Sequence, residues 1–145
     1  MNTIVTFTRA KNQDDLSQVL DIRRKVFVQE QHIPAEREQD GHDPEALHVL
    51  ALIEKSAIAT GRLLPAAGSE GIMARIAVLP EYRGQGIGAR VVRQLENMAR
   101  AVGVRHLMLT PHASLESFYD RLGYHKISGE KQVAEHHVIT MEKWL

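Results

Sequence analysis

In the stretch PEYRGQGIGARVVRQLE, Pro80 to Glu96, Gly84, Gly86 and Gly88 alternate with Gln85 and Ile87, with Arg83 ahead and a helical pattern behind. Glycines let a backbone approach a phosphate and take up positive φ. A helix start adds free N–H groups and a partial positive charge. With Arg83 they predict a site for a phosphate or pyrophosphate, and exceed what a bare turn needs. A P-loop needs a lysine and a serine or threonine after its last glycine, but Ala89 and Arg90 follow Gly88. Gly84, Gly86 and Ala89 satisfy the dinucleotide fingerprint G-x-G-x-x-A, which expects an acid at the end of the next strand. Leu109, Thr110 and Pro111 stand there instead.

Other residues with chemical potential lie upstream. Arg23 falls near the centre of an apolar helical stripe, where a charge is costly unless it is paired or faces a cleft. It snorkels to solvent, pairs with Glu30 or Asp40, or serves a substrate site by fixing the acidic loop or an anionic group. Glu30, Glu36, Glu38, Asp40, Asp43 and Glu45 crowd one segment, opposed within it by Arg37 and histidines. Such runs are ordinarily solvated loops. On the rim of a cleft, this one would attract a cation. His48 begins a strand beside it, and imidazole titrates near neutral pH. The eight histidines lack ligand spacing: His32, His42 and His48 are not i, i+4 pairs, and His136 and His137 are adjacent. No metal site is expected.

The elements that position these residues follow from pattern. Thr3 to Arg9 reads as a strand. Asn12 offers an N-cap, with Asp15 three residues on, to a helix placing Leu16, Val19, Leu20, Val26 and Phe27 on one face. The segment after Gln31 reads as a loop or short helix. Leu47 to Ile53, Ile58 to Leu64 and Ile72 to Leu79 read as strands of an antiparallel meander. Ile87, Val91, Leu95, Met98 and Val102 mark a helix closed by Gly103. Val104 to Thr110 reads as a strand, Ser114 to Leu122 as a short helix, and Tyr124 to Ser128 and Val138 to Glu142 as final strands. The long helix makes its flanking strands a parallel, right-handed crossover pair. The predicted class is a mixed α/β sheet, mostly antiparallel, with a central parallel pair.

Composition narrows the function. The chain has 145 residues, fit for one domain over 1–145. Lysine plus arginine equals aspartate plus glutamate at 18 each, which argues against nucleic acid as a partner. Cysteine is absent, which removes disulfides, thiolate metal sites and a cysteine nucleophile. No apolar run nears the roughly 20 residues of a membrane helix, and no signal-peptide core is present. A cytoplasmic location is the default expectation.

Beyond these readings the chain resembles a known family. Arg83-Gly84-Gln85-Gly86-Ile87-Gly88 matches the Arg/Gln-x-x-Gly-x-Gly/Ala signature of the GNAT acyltransferases, and ARIAVLPEYRGQGIGARVVRQLE resembles their coenzyme A strand, loop and helix. SFYDRLGYHK resembles a second signature, a tyrosine ahead of a Leu-Gly-Tyr turn. RRKVFVQEQHIPAEREQDGHDPEALHVLA is similar to the first helix and loop of the ElaA-like bacterial subset, and more faintly to acyl-homoserine lactone synthases. His112 departs from the asparagine or glutamine common at its position.

The resemblance implies a GNAT fold and an N-acetyltransferase using acetyl-CoA. The turn amides from Gly84 through Gln85, Gly86, Ile87 and Gly88 into Ala89 would bind the pyrophosphate, with Arg83 adding charge. The pantetheine arm would lie along Ile76, Ala77 and Val78, and one strand amide would polarise the thioester carbonyl. Tyr119 would be the general acid for the leaving thiolate. The base stays open among Glu36, Asp43, His48, His112 and Glu135, with His48 foremost; a water could also serve. Arg23, Glu36 and Asp43 are expected at the acceptor site. The acceptor would be a small-molecule amine or a protein amine, cationic if the acidic segment rims the cleft. The oligomeric state, including a homodimer, stays open. The alternatives are a non-catalytic sensor of coenzyme A or acyl-CoA, which has no thiolate for Tyr119 to protonate, and an acyl-CoA-dependent synthase.

Overall fold

The computed structural model describes residues 4–133 and 135–145, so Thr3 of the expected first strand lies outside them. The first half contains β1 (Val5–Arg9), α1 (Gln13–Arg23), a π-helical continuation (Arg24–Glu30), α2 (Ala35–Glu38), β2 (Leu47–Ile53), β3 (Ser56–Ala66) and β4 (Glu70–Val78). The second contains α3 (Ile87–Ala101), β5 (His106–Leu109), α4 (Glu116–Arg121), β6 (His125–Val133) and β7 (His136–Trp144).

Seven strands make one sheet in the order β1-β2-β3-β4-β5-β7-β6. Every neighbouring pair is antiparallel except β4 and β5. Those two are joined through α3, and parallel strands need such a crossover. The mixed sheet with a central parallel pair is therefore the predicted one. Asn12 caps α1 as expected, its Oδ1 accepting from the Asp15 amide at 2.8 Å. Gly103 takes φ +83° just past α3, as its cap position requires.

α3 lays Val91, Val92, Leu95 and Ala99 on Leu63, Met73, Leu107 and Met141 of the sheet, forming the larger core. It sits this close because Gly61 has no side chain: a Cβ there would lie 2.8 Å from both Leu95 Cδ1 and Val91 Cγ1. On the opposite face α1 and its π-helical continuation bury Val19, Ile22 and Val26 against Leu50 and Ala77.

Some expectations need correction. The buried stripe of α1 runs through Ile22 and Arg23, while Leu20 stays 37% exposed. After Arg23 the helix widens to π geometry, with Gln31 N–H donating to the Val26 carbonyl five residues back. Val102 is solvent-exposed at the end of α3. The two last strands are longer than expected, and β7 inserts between β5 and β6. β6 is exposed at every position, so it carries no apolar alternation to be read.

Two irregularities in β4 matter for function. It pairs with β5 only where Glu70–Ile72 meets His106–Met108. From Met73 to Val78 its edge on that side has no strand partner among the described residues, and the sheet splits. Within this free stretch β4 also bulges. Thr60 faces Ala77 and Arg62 faces Ala74, which leaves Arg75 and Ile76 opposite Gly61. Arg75 takes φ +58°, a left-handed conformation uncommon for a side-chain-bearing residue.

Candidate active site

The glycine turn stands at the open end of the split, between β4 and α3. Gly84 and Gly86 take φ +76° and +77°, and a Cβ on either would meet nothing within 4 Å. Their glycine requirement is therefore conformational, and space stays open over the turn. Gly86 is the N-cap of α3 and has no side chain with which to cap it. Arg90 is the first to donate back, to the Gly86 carbonyl at 3.3 Å, so the Ile87, Gly88 and Ala89 amides are the free donors of the first turn. Gln85 is exposed and Ile87 buried, which anchors the turn to the core.

Arg83 has a partner that the sequence did not disclose. Its guanidinium grips Glu30 at the end of the π-helix through two 2.7 Å bonds, and its Nε–H donates to the Val78 carbonyl at 2.9 Å. It thus ties the cradle to the last residue of β4 and to the first helix. Ile76, Ala77 and Val78 lie on the unpaired part of β4, beside the cradle, where they can pair with an extended ligand.

Tyr119 sits on α4, which follows the β5 wall of the split. Neighbouring Phe118 approaches Gly88, its Cζ 3.5 Å from the position of a Cβ there, so α4 packs on the cradle. The Tyr119 ring is 4% exposed and lies edge-on to Phe118 and Tyr124. Burial pushes its phenol pKa well above 10, which keeps it protonated. Below it Tyr124 donates to Glu96 at 2.7 Å, and Lys143 donates to the same carboxylate at 2.9 Å.

Arg23 is fully buried and paired, with partners other than those anticipated. It donates to Glu38 at 2.7 and 2.6 Å and to Asp43 at 2.8 and 3.1 Å. Arg75 bonds Glu38 and Asp40 at 3.1 and 3.3 Å, and Arg62 bonds Asp40 at 2.8 Å and Asp43 at 3.1 Å. The result is a closed ring of alternating charge: Arg23, Glu38, Arg75, Asp40, Arg62, Asp43. It pins the loop after α2 to β3 and to the β4 bulge. Arg62 holds Asp40 well below its ordinary pKa. Burial alone would raise Asp43, but Arg23 and Arg62 outweigh it and lower it. Arg62 and Arg75 escaped the sequence reading; Arg62 is the one charge in β3 and Arg75 the one charge from Ile72 to Val78 of β4, which was the available signal.

The ring corrects the charge reckoning of the acidic segment. Glu38, Asp40 and Asp43 are matched by three arginines and Glu30 by Arg83. Among the described residues only Glu36 and Glu45 of that segment stand exposed without an ion pair. The strong negative rim expected to draw in a cation is therefore largely cancelled. His48 lies beneath the ring, 3% exposed, its Nε2 3.0 Å from the Asp43 carbonyl and its Nδ1 without a partner. Burial lowers its pKa, so it is held neutral. His112 is exposed beyond the end of β5, where it bridges to Val138 of β7.

The cradle and the open strand edge thus lie together. The tyrosine joins them through α4, and the Arg23 ring braces the β4 bulge from the opposite face.

Known proteins share this fold. The model of the acetyltransferase (GNAT) family matches residues 16–124. The chain is 32% identical over 119 residues to the uncharacterized N-acetyltransferase YjcF of Bacillus subtilis, covering 82% of this chain and 84% of that protein. Among solved structures it superposes on Escherichia coli ElaA with a TM-score of 0.86 at 22% identity, over 97% and 99% of the two chains. It superposes on the PaiA N-acetyltransferase of Thermoplasma acidophilum, solved with coenzyme A, with a TM-score of 0.73 at 16% identity, over 98% and 99%. By sequence and by fold, then, the chain belongs to the GNAT acetyltransferase family and is an acyl-CoA-dependent acyltransferase.

Proposed function

We propose that this enzyme moves an acetyl group from acetyl-CoA to the primary amine of a small molecule or a protein by direct attack, with no covalent enzyme intermediate. The observation that carries this reading is the split between β4 and β5, which leaves the Met73–Val78 edge open beside the glycine cradle. A pantetheine arm adds to that edge as a strand would, with its pyrophosphate on the free amides from Gly84 to Ala89. A β4 amide then polarises the thioester carbonyl as negative charge develops on it. Nitrogen bonds to the carbonyl carbon, the C–S bond breaks, the thiolate takes the Tyr119 proton, and the proton that the nitrogen sheds as it becomes an amide restores the phenol.

The buried, protonated phenol supports an enzyme over a coenzyme A sensor. The test is free-thiol release from acetyl-CoA and from longer acyl-CoAs, each against a panel of amines. Acetyl-CoA with one class of amine should give the highest kcat/KM. Absence of thiol release with every amine, from a protein that binds coenzyme A, would overturn the transferase reading in favour of the sensor. Preference for a long acyl chain would point to the synthase.

A further inference from the structure

His112 and His136 meet where no charged network claims them. His112 Nε2 lies 2.9 Å from His136 Nδ1, and the rings stand edge to face at 79° with centroids 5.1 Å apart. At that separation one of the two nitrogens carries the shared proton. Each ring keeps an outer nitrogen, Nδ1 of His112 and Nε2 of His136.

The placement of the pair decides what it can do. Leu107 and Leu109 of β5 and Ile139 and Met141 of β7 are buried under α3. Side chains alternate along strands, so His106 and Met108 of β5, and His136 and Val138 of β7, face the other way. His106 meets Glu142 on that face, and the His112 ring joins His136 there. Tyr119 belongs to the α3 side. The free β4 edge runs between the two faces, with Thr110, Pro111 and His112 continuing the opposite wall after β5 ends. A thioester on that edge would have the phenol toward one face of the sheet and the imidazole pair toward the other.

We infer that His112 takes the proton from the acceptor ammonium and passes one on through His136. This rests on the transferase reading and names its proton acceptor. An imidazole suits the task near neutral pH. The ammonium gives a proton to Nδ1 of His112, the bridging proton moves from His112 Nε2 to His136 Nδ1, and His136 releases its Nε2 proton to water. The freed amine then attacks. His48, enclosed beneath Asp43 and the arginine ring, has no comparable exposure. Neighbouring charges are otherwise engaged: Glu116 of α4 with Lys126, His137 with Glu130, and Glu142 with His106. Glu135 stands exposed beside His136 in the chain.

Two measurements test the pair. The first follows the imidazole carbon-bound proton resonances of His112 and His136, assigned with His112→Gln and His136→Gln, as coenzyme A is titrated into the wild type. Binding should move the His112 signal, and saturating coenzyme A with both signals unmoved would overturn the inference. The second uses the best amine from the thiol-release panel. Each variant should lose about 10²-fold in kcat/KM at neutral pH, the scale of one general base. Coenzyme A affinity should hold, and the deficit should shrink as rising pH frees the amine without help. Turnover within a few-fold of wild type along the acid limb of the pH profile would also overturn it. A wild type that binds no coenzyme A at all is a different outcome and sinks the transferase reading itself.

Discussion

At the scale of single residues the proposed general acid, Tyr119, allows its proton to be tested apart from its packing. The ring fills an edge-on stack with Phe118 and Tyr124, which Tyr119→Phe leaves intact while removing the proton. We expect a loss of about 10²-fold in turnover, the usual contribution of one general acid, with acetyl-CoA affinity and thermal stability unchanged. Stopped-flow thiol release and calorimetry read the two halves. Turnover within a few-fold of wild type, with chemistry limiting the rate, would reduce the tyrosine to packing. Residues whose chemistry is local were legible in the sequence. Gly84 and Gly86 announced positive φ, and both have it. What the sequence hid was partnership across the chain. Arg83 looked free for a phosphate and is held by Glu30, 53 positions away. Arg23 announced itself as a charge in an apolar stripe, but nothing local names Glu38 and Asp43 as its partners.

Elements show the same division. β2 falls at its expected limits and α3 starts at its expected residue because alternation and helical spacing were strong there. The π-helix from Arg24 to Glu30 and the β4 bulge were not legible. Both depend on tertiary contacts: the bulge lies where the side chain of Arg75 reaches Glu38 and Asp40. The arginine ring is what joins α1, the loop after α2, β3 and β4. Arg23→Leu keeps most of the volume but leaves Asp43 and the 4%-exposed Glu38 with one arginine each in place of two. Removing one partner of a buried pair costs about 3–5 kcal/mol, so urea unfolding should show a loss of that order. A companion variant, Arg23→Leu with Glu38→Gln, should recover part of it, because the buried carboxylate that lost its closest arginine is then neutral. No destabilisation in the single variant would mean the loop relaxes and hydrates its carboxylates, and that the ring does not brace β4.

The sheet as a whole is a wedge, open at the cradle and held shut at the far end. His106 of β5 forms the clasp, with its two ring nitrogens on Glu70 of β4 and Glu142 of β7 and its face stacked on Trp144 at 4.1 Å. Burial alone would lower its pKa, but the bonds to Glu142 and Glu70 outweigh burial and raise it above 6.5. A folded pKa above the unfolded one gives stability that is complete below about pH 6.5 and fades as pH climbs through the raised value. The ring works in the opposite sense. Asp40 and Asp43 are lowered from 3.8, so their contribution is complete above that value and fades as pH falls through the lowered ones. The melting temperature should therefore peak near pH 6.5, falling above it as His106 loses its proton and below it as first buried His48 and then the ring aspartates lose their contributions. The two limbs belong to different ends of the molecule and should be separable. His106→Gln should flatten the alkaline decline above pH 6.5 and leave the acid one, while Asp40→Asn should shallow the acid limb alone. Thermal melts of the three proteins across pH 3–9 in constant ionic strength decide it. An alkaline decline that persists in His106→Gln would show that the clasp carries no proton-linked stability. The strands would then be held together beyond the split by the apolar packing of Leu107 and Met141 beneath α3.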